Sequence, residues 1–89
     1  MEMDDIFLRQ YPQIDLHGVD RDSARMMTND FVSENMILGN TTILIMHGVG
    51  SGIVKKACHD ALSMNKNVVS FKTDNFNHGL TIVELKKYS

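Results

Sequence analysis

Apolar residues at Ala24, Met27, Phe31 and Leu38, with Arg25, Asp30 and Glu34 between them, recur at helical spacing and predict one amphipathic helix. Asp20 stands where an N-cap residue belongs, and Gly39-Asn40 ends the helix, since glycine readily takes the left-handed C′ conformation. The period then changes: Thr41 to Met46 is β-branched and apolar throughout, as in a strand buried on both faces. Ile53, Ala57, Ala61 and Leu62 return to helical spacing and end near Asn65. Gln13 to His17, entered from Pro12, reads as a short strand, and Val68 to Lys72 and Leu80 to Leu85 as two more, joined by the turn-rich Asn75 to Gly79. The expected order is β-α-β-α-β-β, an α/β chain. Residues 1–12 read as an N-terminal arm and residues 13–89 as the domain.

Leu16-His17-Gly18-Val19 and Met46-His47-Gly48-Val49 repeat one shape, a strand that ends in histidine and glycine before a helix begins. Their separation is about the ~30 residues of a βαβ unit, in which the chain leaves a strand, crosses over and returns parallel. Two adjacent parallel strands would set both His-Gly corners side by side at their carboxyl ends, where open α/β sheets place their sites.

Composition narrows the class. The 89 residues make one domain, and 43% hydrophobic against 22% charged residues describes a chain able to bury a core. The longest apolar run, Ile43 to Met46, is far below the ~20 residues of a bilayer span, and the acidic Met-Glu-Met-Asp-Asp start is unlike a signal peptide, so no membrane partner and a cytoplasmic location are expected. The lone Cys58 closes no internal disulfide and supplies no multi-cysteine zinc site. The net charge of −2 hides an asymmetry: residues 1–44 carry eight acids and three arginines, residues 45–89 three acids and six lysines. The second half is thus the one suited to an anionic partner.

Asp15 and His17 lie two apart on a strand and share a face, with Ile14 and Leu16 on the other. A carboxylate beside an imidazole fixes its tautomer and suits it to general acid–base work. The alternative is structural, with Asp15 accepting turn amides and His17 capping the strand. His47 joins the same neighbourhood by the parallel-strand argument. Two imidazoles and a carboxylate form an acid–base site or, as the lesser alternative, hold a divalent metal; otherwise no cofactor is expected.

Gly48, Gly50 and Gly52 alternate just ahead of a helix, which lets backbone amides converge on an anion near the positive helix end. The spacing fits neither a Walker loop nor a dinucleotide fingerprint. Lys55 and Lys56, in the first turns of that helix, are unfavourable there without a negative partner. His78 enters the site only if its turn folds back. His59 reads as a surface or interhelical side chain and Cys58 as core.

Taken together, Ile14-Asp-Leu-His-Gly18, His47-Gly-Val-Gly-Ser-Gly52 and Gly79-Leu-Thr-Ile-Val-Glu-Leu85 resemble the three signature blocks of the Smr (small MutS-related) domain, in order and over about residues 13–86. The resemblance implies a two-layer α/β sandwich with a four-stranded mixed sheet, similar to the C-terminal domain of a translation initiation factor. It implies nucleic-acid endonuclease or binding activity, with Asp15 and His17 in the catalytic motif and His47, Gly48 and Gly50 in the phosphate-facing one. The expected function is RNA cleavage or DNA nicking by acid–base phosphodiester chemistry. In that scheme one of His17 and His47 takes a proton and the other gives one, while loop amides and Lys55 stabilise the developing charge. The alternatives are a non-catalytic module that binds nucleic acid or a ribosome, and an interaction domain whose open sheet face pairs with another copy.

Overall fold

A computed structural model describes residues 10–87 of the chain, so most of the expected arm lies outside the described residues. The elements are β1 (Gln13–Asp15), α1 (Arg21–Leu38), β2 (Thr42–Met46), α2 (Ile53–Met64), β3 (Val68–Thr73) and β4 (Leu80–Leu85). The four strands form one mixed sheet in the order β1-β2-β4-β3. β1 runs parallel to β2, whereas β4 is antiparallel to both of its neighbours.

Alternation along the strands sends Ile43 and Ile45 of β2 and Val83 and Leu85 of β4 to one face, where they pack with Leu16 and with Ala24, Val32, Met36, Ala57, Cys58 and Leu62 of the helices. This is the two-layer α/β sandwich. Ile43, Leu44 and Ile45 are all fully buried, so β2 is covered on both faces, as its unbroken apolar run predicts.

Two elements differ from expectation. β1 stops at Asp15 rather than His17, because Leu16 already begins a turn in which its carbonyl accepts the Val19 N–H at 3.2 Å. Leu38 is 67% exposed, and the inner stripe of α1 is instead Ala24, Thr28, Val32, Asn35 and Met36. Asn35 tolerates burial because its side chain donates to the Phe31 carbonyl at 2.9 Å and accepts from Asn40 at 2.9 Å.

Candidate functional site

The site begins where β1 and β2 end. Asp15 pairs with Met46, and the Leu16 N–H donates to the Met46 carbonyl at 2.7 Å, so the two strands finish level. Each chain then turns through a glycine in the left-handed region, Gly18 at φ +84° and Gly48 at φ +77°. A Cβ placed on Gly48 would lie 3.8 Å from Cδ2 of His17, which sets the His17 imidazole against the second corner. Asp15 Oδ1 accepts the backbone N–H of His17 at 2.8 Å. The carboxylate therefore braces the turn amide, as in the structural alternative.

The glycine loop is docked on the start of β4. The Gly79 carbonyl accepts the N–H groups of His47 at 2.8 Å and Gly48 at 3.1 Å. This corrects one expectation: the Gly48 amide is engaged within the fold and is not aimed at a ligand. The backbone amides of Val49 to Gly52 have no backbone acceptor among the described residues, and Ile53 reaches only the Ser51 hydroxyl, at 3.5 Å.

The two helix starts contrast. At α1, Asp20 accepts the Ser23 N–H at 2.7 Å and Asp22 adds negative charge. At α2, the N-cap is Gly52 at φ +85°, with no side-chain cap and no acid in the first turn. The partial positive charge and free N–H groups of that helix end are left uncompensated. They open into a cleft of about 400 Å³ lined by His17, Gly18, His47, the loop Gly48 to Gly52, Val54 and Lys55. Lys56 is turned away, its Nζ 3.1 Å from Asp60, and exposed His78 does not line the cleft although its turn folds back against the loop.

His47 sits at the floor of this cleft, 4% exposed, with both ring nitrogens engaged. Nδ1 lies 3.0 Å from the Gly48 carbonyl, which has no proton to give, so Nδ1 carries the proton and donates it. Nε2 of the neutral ring then has a lone pair, into which the Thr81 hydroxyl donates at 2.7 Å. Thr81 has no second proton, so Nε2–H of His59 donates to the Thr81 oxygen, also at 2.7 Å. The rings of His47 and His59 meet edge to face with centroids 5.6 Å apart, and His59 rests against Phe71.

Neutral rings are what this setting favours. Burial lowers the His47 pKa from its ordinary value of 6.5, the Gly48 contact opposing and Lys55 reinforcing the shift. Burial likewise lowers that of His59, helped by His47 and Lys55 and opposed by Asp60. Buried Cys58 is pushed up to about 11 by desolvation, which keeps it a thiol.

Two members of this cluster, Thr81 and His59, lie outside the site that the sequence predicts. The signals were weak ones: Thr81 shares strand parity with the core residues Val83 and Leu85, and His59 follows Lys55 by one helical turn. Among the described residues, no three His, Cys, Asp or Glu side chains gather to hold a metal ion, and no helix is long and apolar enough to cross a membrane.

Comparison with known proteins bears on what such a cleft does. The Smr domain family matches residues 14–86. Endonuclease MutS2 of Clostridium acetobutylicum is 34% identical over 76 residues, covering 82% of this chain and 10% of the relative. The chain thus spans about a tenth of the length of such relatives. Among solved structures, the Smr domain of Thermus thermophilus MutS2 superposes with a TM-score of 0.81 at 31% identity, over 84% of this chain and 98% of that one. YdaL, a stand-alone small MutS-related protein from Escherichia coli, has a TM-score of 0.80 at 24% identity, over 90% of this chain and 72% of that one, a likeness of fold.

Proposed function

This chain belongs to the Smr domain family, and on that premise we propose that it binds nucleic acid through a backbone phosphate held in the cleft, and that it cleaves the phosphodiester there. The observation that carries the reading is the uncapped start of α2, where free loop and helix amides and Lys55 face the same space as His17. The naming of the relatives as endonucleases agrees with it.

The roles divide unequally. His47 has both nitrogens engaged, so it shapes the loop and does not exchange protons with a ligand. His17 is exposed, and its ring has no hydrogen-bond partner among the described residues, which makes it the proton-transfer group. On RNA, His17 takes the proton of the 2′-hydroxyl, the 2′-oxygen bonds to phosphorus, and the bond to the 5′-oxygen breaks, with water in the open cleft supplying that oxygen's proton. On DNA, His17 takes a proton from a water molecule, the water oxygen bonds to phosphorus, and one of the two ester P–O bonds breaks, its oxygen taking a proton from solvent water. Amides of the loop and the first turn of α2, with Lys55, balance the charge on the phosphoryl oxygens. No step in this scheme needs a metal.

One observation favours a second reading, a non-catalytic module that docks on RNA, DNA or a ribosomal surface: the Asp15 carboxylate braces a backbone amide and leaves the imidazole without an orienting partner. End-group analysis of labelled RNA and DNA, with and without chelator, separates the two. Cleavage through the 2′-hydroxyl gives 2′,3′-cyclic phosphate and 5′-hydroxyl ends regardless of chelator. Intact RNA and DNA together with saturable binding would leave the binding module.

A further inference from the structure

The chain His59–Thr81–His47, in which Thr81 and His47 are buried and His59 is half-buried, ends on the Gly48 carbonyl, and each link has a direction. Because the carbonyl only accepts, the proton order runs one way: His59 Nε2–H to Thr81, Thr81 O–H to His47 Nε2, His47 Nδ1–H to Gly48. Reversing any link while both rings are neutral would set a bare ring nitrogen against the Gly48 oxygen, or two hydroxyl protons on one threonine. Thr81 is fully buried on β4, so water does not substitute for it, and neither it nor His59 lines the cleft.

We infer that Thr81, backed by His59, is a positioning residue: its hydroxyl, donating to His47 Nε2, locks the Nδ1–H ring against the Gly48 carbonyl and thereby fixes that carbonyl, so that the free amides of the following loop face the cleft. Gly48 is where the lock acts, since its carbonyl is held by His47 and its amide by the Gly79 carbonyl, at 3.1 Å. With the peptide units on both sides of the Gly48 Cα tied, the direction in which Val49 to Gly52 leave the corner is set. The phosphate consequence rests on reading the cleft as an oxyanion site; the tautomer lock does not.

Long-range proton–nitrogen NMR of the ¹⁵N-labelled chain at a pH where both rings are neutral reads the lock directly. His47 should show a protonated Nδ1 and a bare Nε2, and His59 the opposite. Thr81→Ser keeps the hydroxyl and should keep both patterns. Thr81→Val keeps the shape but leaves His47 Nε2 facing a methyl group. His47 should keep its proton on Nδ1, still facing the Gly48 carbonyl, but its Nε2 should lose the nitrogen shift of a hydrogen-bonded acceptor, and affinity for inorganic phosphate should fall about tenfold, roughly the worth of one hydrogen bond lost from the support of the loop. Thr81→Ser should bind phosphate as the native chain does. A native His47 protonated on Nε2 overturns the inference, whether or not the valine variant folds. So does a Thr81→Val chain that keeps the native His47 Nε2 shift and the native phosphate affinity. If the native chain binds no phosphate while the tautomers follow the stated pattern, the lock stands and the oxyanion reading fails.

Discussion

Gly79→Ala is the substitution on which the loop architecture makes its firmest statement. A Cβ at Gly79 would meet Gly48 Cα at 3.1 Å, Gly48 C at 3.2 Å and Asn77 Oδ1 at 3.3 Å. The Asn77 side chain can swing aside, but the two Gly48 atoms are backbone held by hydrogen bonds on both sides. The corner must therefore open by a few tenths of an ångström, which stretches the bonds from His47 and Gly48 to the Gly79 carbonyl. Overpacking of this kind costs about 2 kcal/mol. At 4–8 °C per kcal/mol for a domain of this size, the melting temperature should fall by roughly 10 °C. Gly50→Ala is the internal control, because a Cβ there meets nothing within 4 Å and Gly50 has no positive φ. It should leave stability within about 0.5 kcal/mol of the native chain. Thermal unfolding followed by circular dichroism, with both variants run beside the native chain, decides the matter. If Gly79→Ala melts within about 2 °C of native, the packing of β4 on the loop is wrong; if Gly50→Ala is equally damaging, the harm is not specific to the 79–48 contact.

Three further outcomes follow from the electrostatics. His47 and His59 both have folded pKa values below 6.5, so the unfolded chain takes up protons first; their contribution is intact above pH 6.5 and is lost as pH falls through the folded values. Melting temperature should drop from pH 7 toward pH 5, less so in His59→Gln, and an unchanged slope in that variant would refute the assignment. Cys58, buried and raised to about 11, should resist a thiol reagent at pH 8 until the chain unfolds, and stoichiometric labelling of the native chain within minutes would contradict its place in the core. Lys55→Ala should weaken nucleic-acid binding and lower the salt slope by about one counterion, whereas Lys56→Ala, whose ammonium faces Asp60, should change little; equal effects would move the binding surface away from the cleft.

Much of the fold is legible in the order of residues because each change of period coincides with a real element: α2 closes at Met64, beside the expected Asn65, and β4 spans Leu80 to Leu85 as read. The exception is α1, where polar residues do an apolar residue's work. Thr28 and Asn35 occupy the inner stripe of α1, and their hydrogen-bonding character concealed it. The pairing of the two His-Gly corners is legible because a parallel βαβ unit brings equivalent strand ends together. The use of Gly48's amide by Gly79, and the His59–Thr81–His47 chain, depend on β4 lying between β2 and β3 with α2 packed above. No spacing rule encodes a contact among a loop, a helix and a strand from the far end of the chain. The same reason hides the fate of Lys55 and Lys56, adjacent in sequence but divided between the cleft and Asp60.

The single-turnover cleavage rate of His17→Ala at saturating protein tests the central claim most directly, because saturation removes any loss of affinity from the comparison. His17 is exposed and the loop amides and Lys55 remain, so the variant should bind as the native chain does, while cleavage falls by about 10² to 10⁴, the usual worth of a proton-transfer group. A rate within about twofold of native would contradict the assignment of His17 as the group that moves the proton.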